Sequence, residues 1–533
     1  MKRLLCTLLS AIMIIGCAGM LAASAQTAEL EALCLTVQPG SDVTSLNFNW
    51  ITRGAPYESV VEIAPASEDF DTAKRMVIGT YAQTAFSDTT EDGETIPRVA
   101  NKVTVTDLEP NTRYNYRVGD GATWSKMYSI RTGHAKWVSA YIVSDVHIIS
   151  SEVGLNLQDT ADDWGKTLAQ LEDLGEADLI LSIGDQMQNT TRLDYMEGFF
   201  NQPLLSEFML APIDGNHDVS PASRNWPLFT NVPNPTEGGS KNGIGDYFFK
   251  QGNVLFVMLS LTDVNFKDGT HEKVFEEAIK AYPDYDWMVV GLHESIYGLY
   301  MYKQTDMGSK TPEEHHESVY APYIEVIEKY GADLVLTGHA HNYSRSHFMK
   351  DGEIQEVEQN EDGAYVDPSG TVWVEMGTTH RTGGWAVGQS AKPNFPWSWL
   401  DYYYSGQIGV NSYAILETYG DTLTLTGYKL LEEDSVIDTL TIVKSGAGLS
   451  KNDKPTEETP TPPADQDPPV ETPETPTETP ETPTETPQTP AEPQPSAIRG
   501  VLWAVLGCIS AAAIGVLAYA GVLLAKKNAK KQV

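Results

Sequence analysis

The sequence predicts an α/β layered domain, preceded by an all-β domain and followed by a low-complexity stalk and one membrane helix. Three observations support this order. Apolar segments alternate with helical segments across residues 136–445, which is the pattern of a layered α/β fold. Residues 30–133 instead show short alternating segments separated by Gly, Pro and Asp, which favours an all-β domain. Residues 446–496 are rich in Pro, Thr and Glu, and the segment 497–525 that follows is apolar.

Size and charge narrow the possible partners. The chain has 533 residues, which is more than one ordinary domain needs. Its formal net charge is −37 at pH 7. Binding of nucleic acid through basic patches is therefore not expected, because the phosphate backbone would be repelled. A small phosphate ester is compatible with this charge, since bound metal ions would dominate the field within a site.

Residues 1–25 have the features of a secretory signal peptide. Met1-Lys2-Arg3 is a positive start, residues 4–22 are mostly apolar, and Ala23-Ser24-Ala25 fits a cleavage site for small residues. Ile15-Gly16-Cys17 leaves lipoprotein processing open as an alternative. Either route would export the chain.

The C-terminal segments predict a membrane anchor. The stalk 446–496 is too poor in apolar residues to fold, and its prolines favour an extended spacer. The apolar segment 497–525 is long enough for a bilayer core of about 30 Å. Residues 526–533 contain four lysines, which mark the cytoplasmic side. We therefore expect a single-pass type I protein of the cell membrane, with its ectodomain on a bacterial cell surface.

The all-β domain contains one distinctive stretch, Leu108–Val118. A leucine, a proline turn and a strand that alternates aromatic or apolar residues with polar ones are typical of a tyrosine corner. The stretch makes residues 30–133 similar to a fibronectin type III sandwich. Another kind of β-sandwich remains open at this stage.

Strands and helices of the α/β domain are predicted from its periodicity. The predicted strands are Val138–Val143, Leu179–Ile183, Met209–Ile213, Val254–Leu261, Trp287–Leu292 and Leu334–Thr337. Helical spacing predicts helices over 161–174, 271–282 and 313–330. Strand-like alternation returns at 371–376 and 411–443, which we expect to complete the sheets.

Five short polar clusters follow strands of this domain. They are Asp145-Val146-His147, Gly184-Asp185, Gly215-Asn216-His217-Asp218, His293 and Gly338-His339-Ala340-His341. Ligands bind at the carboxyl edge of open α/β sheets, where such loops converge. The carboxylate, amide and imidazole groups suit Fe, Mn, Zn or Co and disfavour Ca. Together they provide ligands for two divalent metal ions that share one carboxylate.

The charge of such a site favours catalysis over a structural role. Two divalent ions would contribute +4, Asp145 and Asp185 −2 and a bridging hydroxide −1, which leaves about +1. A small positive charge would attract a phosphate ester and stabilise the negative charge of its transition state.

The ordered motifs D-x-H, GD, GNHD, H and GHxH resemble those of the calcineurin-like metallophosphoesterase superfamily. With a β domain in front, the layout is similar to the purple acid phosphatase branch, over roughly residues 30–445. The resemblance implies a metallophosphoesterase β-sandwich flanked by helices. It also implies an enzyme that holds two divalent ions and acts on a small phosphate ester.

The resemblance also implies roles for the clustered residues. The first ion would be bound by Asp145, His147, Asp185 and His341, and the second by Asp185, Asn216, His293 and His339. His217 would be the general acid or transition-state stabiliser, oriented by Asp218. The nucleophile would be the hydroxide held by the ions.

Two positions depart from the purple enzymes. Their iron-binding tyrosine, three residues after the bridging aspartate, is replaced here by Gln188. The first ion instead gains His147, so we expect divalent metals and a colourless protein. A second histidine that usually follows His293 is replaced by Glu294, to which the sequence assigns no role.

Three basic residues are candidates for binding the substrate phosphate. His380 and Arg381 lie in the segment Gly377–Gly384, whose glycines would allow a close approach to the ions. Arg345 follows the last cluster by four residues and is a candidate of similar standing.

Three functions follow from this pattern. The first is hydrolysis of a phosphomonoester, such as a nucleotide or a sugar phosphate. A phosphodiesterase with the same dinuclear site is the alternative, because the two activities share the ions and differ in the loops. A surface adhesin that has lost catalysis is less compatible, since all the motif residues of the site are present.

Overall fold

The fold is described by a computed structural model over residues 29–445. Within this range the described residues exclude 80–83, 90–94, 150–155, 176, 221–224, 240–241, 261–269, 299–308, 381–396, 405–410 and 433–434. The chain divides into two units, Met1–Thr456 and Glu457–Val533. All described residues belong to the first unit.

Several predicted segments lie outside the described residues. These are the signal peptide 1–25, the stalk 446–496, the membrane helix 497–525 and the basic tail 526–533. Among the helices that the structure does describe, none combines the length and the apolar character needed to cross a bilayer. The four segments stay predictions.

The N-terminal part is a β-sandwich, as the sequence predicts. Its strands are β1 (Leu33–Pro39), β2 (Leu46–Arg53), β3 (Val60–Pro65), β4 (Arg75–Ile78), β5 (Thr84–Thr89), β6 (Thr95–Val105), β7 (Arg113–Gly119) and β8 (Tyr128–Arg131), with a short helix α1 (Phe70–Ala73). Strands β4-β3-β7-β8 form one sheet, and β1-β2-β6-β5 form the opposite layer. The predicted tyrosine corner is present, since the backbone N–H of Glu109 donates to the Tyr114 hydroxyl at 2.8 Å.

The remaining elements belong to the α/β part of the chain. Its strands are β9 (Trp137–Val143), β10 (Leu179–Ile183), β11 (Met209–Ile213), β12 (Tyr247–Gln251), β13 (Val254–Leu259), β14 (Trp287–Leu292), β15 (Leu334–Thr337), β16 (Ser344–Ser346), β17 (Phe348–Lys350), β18 (Glu353–Gln355), β19 (Tyr365–Val366), β20 (Val372–Glu375), β21 (Leu400–Tyr403), β22 (Ser412–Tyr419), β23 (Thr422–Lys429) and β24 (Val436–Val443). Its helices are α2 (Leu157–Asp173), α3 (Leu193–Phe200), α4 (Thr270–Ala281) and α5 (Pro312–Lys329), with 3-10 turns at Pro203–Ser206 and Trp226–Leu228.

Two sheets carry the clustered residues and pack against each other. One contains β9, β10 and β11 as parallel neighbours, and the other contains β13, β14, β15 and β20 in parallel order. Apolar residues of both sheets, including Ile142, Leu181, Met258 and Leu336, share one buried core. The inner faces of these strands pack into this core and helices cover their outer faces, which explains why the strands are hydrophobic along their whole length.

Helices cover the outer faces of the two sheets. Trp164 of α2 and Phe199 of α3 pack on the sheet of β9 and β10, and Phe275 of α4 and Ile327 of α5 pack on the other. The result is the predicted α/β architecture with four layers. Helix α5 begins with a capping box, in which the Thr311 hydroxyl accepts from the Glu314 backbone and the Glu314 side chain accepts from Thr311.

The β-sandwich and the α/β part share one continuous sheet, which the sequence did not predict. Strand β1 pairs in parallel with β11 through Val37 and Met209, so the larger sheet has eleven strands. Side chains add to this junction. Arg98 pairs with Glu197 at 2.9 Å, and the Lys102 ammonium donates to the Pro227 carbonyl at 2.8 Å.

Lys102 generates a prediction about stability. Burial lowers the pKa of its ammonium from 10.5 to about 8 in the folded protein. Between about pH 8 and pH 10.5 the folded chain therefore binds fewer protons than the unfolded chain. The free energy of unfolding rises with pH across this range. At pH 7 the buried charge costs stability. We expect Lys102→Met to raise the free energy of unfolding at pH 7 by about 1–2 kcal/mol, after subtraction of the lost hydrogen bond.

Chemical denaturation at pH 7, 9 and 10.5 checks this prediction. The gain over the wild-type protein should shrink as the pH rises, because the wild-type lysine then becomes neutral. Lys136→Met, at an exposed position, is the control and should show no such trend. Equal destabilisation by Lys102→Met at every pH would contradict the prediction and would mean that the hydrogen bond to Pro227 dominates.

Candidate metal centre

The clustered residues meet at one edge of the sandwich. Each cluster begins within three residues of the end of its strand, at β9, β10 and β11 in one sheet and at β14 and β15 in the other. These are the carboxyl ends of parallel strands, where the loops of both sheets converge. Because each polar cluster follows the carboxyl end of its own strand, all five clusters lie at the same edge of the sandwich.

The residues predicted for the first ion surround a common point. The Nε2 atom of His341 lies 3.1 Å from Oδ1 of Asp145 and 3.0 Å from Nε2 of His147. Asp185 completes the predicted set, with its Oδ2 atom 3.7 Å from Nε2 of His147. All four side chains are buried.

The residues predicted for the second ion form a neighbouring group. The Nε2 atom of His293 lies 3.2 Å from Oδ2 of Asp185. The Nδ1 atom of His339 lies 2.8 Å from Oδ1 of Asn216. Ligand atoms of Asp185, His293 and His339 fall within 4.8 Å of one another, as do those of Asp145, His147 and His341. Asp185 therefore stands between the two groups.

The chemistry of these groups fits metal ions. Two imidazole nitrogens face each other across 3.0 Å in His147 and His341, and a carboxylate oxygen lies beside them. Burial lowers the pKa of His147 to about 3, and it also lowers the pKa of His339. The rings of His147 and His339 are therefore neutral near pH 7. A neutral imidazole offers a lone pair, which is the form that binds metals.

The two buried aspartates are held in their charged form. Burial alone would raise both pKa values, but neighbouring histidines outweigh it. His341 holds the pKa of Asp145 below its usual range, and His293 does the same for Asp185. Burial would lower the pKa of His293, whereas the Asp185 carboxylate raises it well above the usual value. The carboxylates are thus available as anionic ligands.

Several candidate ligands occupy a strained backbone conformation. Asp145, His147, Asp185, His339 and His341 all have positive φ, between 48° and 76°. This left-handed region is uncommon for residues other than glycine. Five such residues in one place are typical of a functional site, where surrounding structure holds a conformation that the local sequence disfavours.

Glycines beside the ligands permit the close packing of these loops. A Cβ atom on Gly184 would lie 2.2 Å from Nδ1 of His293, and Gly184 also has a φ of +87°. A Cβ atom on Gly215 would lie 2.2 Å from Oδ1 of Asp185. The glycines of the GD and GNHD motifs are therefore required by the approach of ligands from other loops.

Backbone hydrogen bonds join the first two loops. The N–H of Asp145 donates to the carbonyl of Gly184 at 3.0 Å, and the N–H of His147 donates to that of Asp185 at 2.9 Å. The N–H of Ile148 donates to Gln186 at 3.0 Å. The pairing of β9 with β10 thus continues beyond the strand ends. It fixes Asp145 and His147 against Asp185.

His217 is held beside the first group of residues. Its backbone N–H donates to Oδ1 of Asp185 at 2.8 Å, and its ring centroid lies 5.1 Å from that of His147. The Nδ1 atom of His217 is 3.2 Å from the Gln188 carbonyl oxygen, so it donates to that oxygen. The other ring nitrogen, Nε2, takes no part in this contact.

The predicted role of Asp218 requires a correction. Its buried carboxylate accepts three backbone N–H groups, from Gly215 at 2.8 Å, Met187 at 3.2 Å and Gln186 at 3.3 Å. The carboxylate therefore ties the loop of Asn216 to the loop of Asp185. The ring of His217 is oriented by the carbonyl of Gln188 and not by Asp218.

The three candidates for substrate binding have different surroundings. Arg345 is buried and its guanidinium contacts Asp401 and Asp438, with 2.7 Å from Nε to Oδ2 of Asp438. These two carboxylates neutralise it, so the structure contradicts the prediction that Arg345 holds a phosphate. His380 follows Thr378, whose hydroxyl donates to the Asp145 carbonyl at 2.7 Å. Arg381 lies outside the described residues.

Some residues that support the site were missed by the sequence reasoning. The Ser144 Oγ atom lies 2.5 Å from Oδ2 of Asp145 and 2.9 Å from the Ile183 carbonyl oxygen, two acceptors that share its single proton. Thr379 accepts from the Ser144 backbone at 3.0 Å. No local pattern could reveal these contacts, because Thr379 lies more than two hundred residues away. The glycines that flank Thr378 and Thr379 gave the one available signal, by indicating a close approach.

Comparison with known families agrees with the fold and the site. Residues 33–132 match the family model described as the purple acid phosphatase N-terminal domain, and residues 139–343 match the calcineurin-like phosphoesterase model. The four-layer fold and the shared Asp185 define the class of metallophosphoesterases. The chain belongs to the purple acid phosphatase-like branch of the calcineurin-like phosphoesterases, which confirms the resemblance drawn from its motifs. This family implies a dinuclear metal site.

Curated relatives include purple acid phosphatase 15 of Arabidopsis thaliana, which is 26% identical over 52% of this chain and 53% of its own length. Probable inactive purple acid phosphatase 1 of the same plant is 25% identical over 45% of this chain and 42% of its own. The chain thus spans about half the length of these relatives. Among solved structures, the chain is similar to purple acid phosphatase PPD1 from yellow lupin (Lupinus luteus) seeds, with a TM-score of 0.59 and 16% identity. The match covers 81% of this chain and 78% of the lupin chain. That likeness shows the fold alone.

Gly184 provides a test of the metal centre. We expect Gly184→Ala to weaken the binding of at least one ion by roughly 10- to 100-fold, because the new Cβ would displace the ring of His293. The measurement is metal stoichiometry after dialysis, together with competition against a chelator.

Gly331→Ala is the matched control for this experiment. Gly331 also has positive φ, at +71°, but a Cβ atom there would meet no other atom within 4 Å. Gly331→Ala should lose roughly 1–2 kcal/mol of stability from backbone strain, and Gly184→Ala should lose at least as much, since its Cβ also meets the His293 ring. Metal binding should change in Gly184→Ala only, and unchanged binding in that variant would contradict the assignment of His293.

Proposed function

We propose that this protein is a cell-surface, metal-dependent phosphoesterase that hydrolyses a phosphomonoester such as a nucleotide or a sugar phosphate. The observation that carries the proposal is the position of Asp185 between two groups of ligands. One carboxylate shared by two sets of histidines is the arrangement of a two-metal hydrolase. The metals that suit this donor set are Fe, Mn, Zn or Co.

The bound ions would supply Lewis-acid activation of the phosphate ester and of the attacking water. The residues of the chain would hold and orient these groups. Asp145, His147 and His341 would fix the first ion, Asn216, His293 and His339 the second, and Asp185 both. The backbone N–H of His217 donates to the Asp185 carboxylate at 2.8 Å. His217 would therefore keep a fixed position relative to the ions.

His217 is the proposed proton donor to the leaving group. Its Nδ1–H stays bound to the Gln188 carbonyl, so the proton that leaves would come from Nε2 of the imidazolium form. Transfer of this proton to the departing oxygen would avoid formation of a free alkoxide. His380, which lies next to the Asp145 loop, is the remaining described candidate for contact with the phosphate.

Activity of the purified full chain tests this proposal. We expect metal-free protein to be inactive and to gain turnover of a chromogenic phosphomonoester on addition of Mn, Fe, Zn or Co. Asn216→Ala should bind the second ion roughly 10- to 100-fold more weakly and lose most of this turnover. Asn115→Ala, in strand β7 of the N-terminal domain, is the matched control and should retain it.

The same assay separates the alternatives. Faster turnover of the matching phosphodiester would replace the monoesterase proposal by a phosphodiesterase with the same dinuclear site. A protein that binds two metals but turns over neither ester would support the binding-only surface protein. Turnover that persists after metal removal would exclude the two-metal mechanism.

The cell-surface location is a separate part of the proposal. It is supported by the signal-like residues 1–25 and by the apolar segment 497–525 with its basic flank. In an expressing bacterium we expect the full chain to resist alkaline extraction from membranes. Removal of residues 497–533 should release the protein into the medium. Recovery of the full chain from the cytosol, with residues 1–25 still attached, would overturn this part of the proposal.

A further inference from the structure

Gln188 contacts two histidines of the site through different groups. It lies in the loop after β10, three residues beyond Asp185, and is half-buried. Its backbone N–H donates to the Ile148 carbonyl at 3.0 Å, as part of the pairing that joins the first two loops. This bond fixes Gln188 relative to the loop that carries His147.

The side chain of Gln188 reaches the ring of His147. Its Oε1 atom lies 3.2 Å from Nδ1 of His147. An amide oxygen can only accept a hydrogen bond, so Nδ1 of His147 carries the proton. The lone pair is then on Nε2, the atom that faces His341 at 3.0 Å and Asp185 at 3.7 Å.

The main chain of Gln188 acts on His217 in the same way. Its carbonyl oxygen lies 3.2 Å from Nδ1 of His217 and can only accept. The two rings are therefore held by one residue, with centroids 5.1 Å apart and planes at 78°. Both rings direct their Nδ1–H groups to Gln188, which leaves Nε2 of each ring for other partners.

We propose that Gln188 is a positioning residue that sets the tautomer and orientation of His147 through its side chain and of His217 through its main chain. The role of His147 as ligand and that of His217 as proton donor rest on the proposed function. Gln188 itself would contact neither the ions nor the substrate. It would couple the geometry of the first metal ion to that of the proton donor.

A neutral side chain suits this position. The site already contains the buried carboxylates of Asp145 and Asp185, and a third anion would remove the small positive charge that a phosphate requires. The glutamine side chain is long enough to bring its amide oxygen to the His147 ring, and it adds no charge. Acceptors of this kind, which bind the far nitrogen of a histidine ligand, tune metal affinity by roughly 10- to 100-fold.

The side-chain amide and the main-chain carbonyl of Gln188 can be tested separately, because a substitution of the side chain leaves the carbonyl in place. Gln188→Met keeps the length of the side chain and removes the acceptor for His147. We expect its first-ion affinity for Mn(II) to fall roughly 10- to 100-fold while the second-ion affinity stays unchanged. Gln188→Glu retains an acceptor and should restore the first-ion affinity to at least the wild-type value.

Binding isotherms and electron paramagnetic resonance of the full chain measure these effects without reference to turnover. At two equivalents of Mn(II), the wild-type protein should show a coupled pair of ions, and Gln188→Met should show mainly isolated ions. At saturating metal, the variant should keep its KM and a kcat within several-fold of wild type, because the contact to His217 is intact. Gln158→Met, at an exposed position of α2, is the matched control.

The outcomes distinguish this inference from the proposed function. Two coupled ions in the wild-type protein and a selective loss in Gln188→Met support it, even if no ester is turned over. Equal affinities in Gln188→Met and wild type would overturn it. Weaker binding of both ions, together with a lower melting temperature of the metal-free variant, would also overturn it by showing a general effect on the loop.

Discussion

The continuation of the β9–β10 pairing beyond the strand ends is the interaction on which the site depends. Hydrogen bonds from the N–H groups of Asp145 and His147 to the carbonyls of Gly184 and Asp185 bring two ligand loops into fixed register. Without them, the loop that carries Asp145 and His147 would be independent of the loop that carries Asp185. Backbone pairing of this kind resists small displacements, because each bond is supported by the parallel ladder below it.

The second sheet completes the site and holds it by direct contact. Nδ1 of His293 donates to the Ile183 carbonyl at 2.9 Å, at the end of β10 in the opposite sheet. The N–H of His339 donates to the Asp145 carboxylate at 3.1 Å. The apolar core between the sheets sets their separation, and the loops above it can then hold ligands with positive φ. Close packing of the core is thus a condition for the geometry of the site.

The sequence was sufficient for the elements whose pattern is local. Strands β10, β11 and β14 begin and end where their continuous apolar segments predict, because a strand covered on both faces leaves no polar position. The same reasoning placed a polar cluster at the end of each strand, and the structure brings these clusters together. Helix α5 has the predicted span within one residue at each end, and a capping residue and a proline mark its start.

The partners of individual side chains were decided only by the tertiary structure. The resemblance implied that Asp218 orients His217, but the buried Asp218 carboxylate accepts from backbone N–H groups that would otherwise lack partners. Arg345 was placed near a phosphate, whereas Asp438, more than ninety residues away, neutralises it. Residue types and their order along the chain therefore predicted the fold class and the residues that gather at the candidate metal centre. Which groups each side chain contacts was decided by long-range packing, since burial requires every charge and every polar group to find a partner.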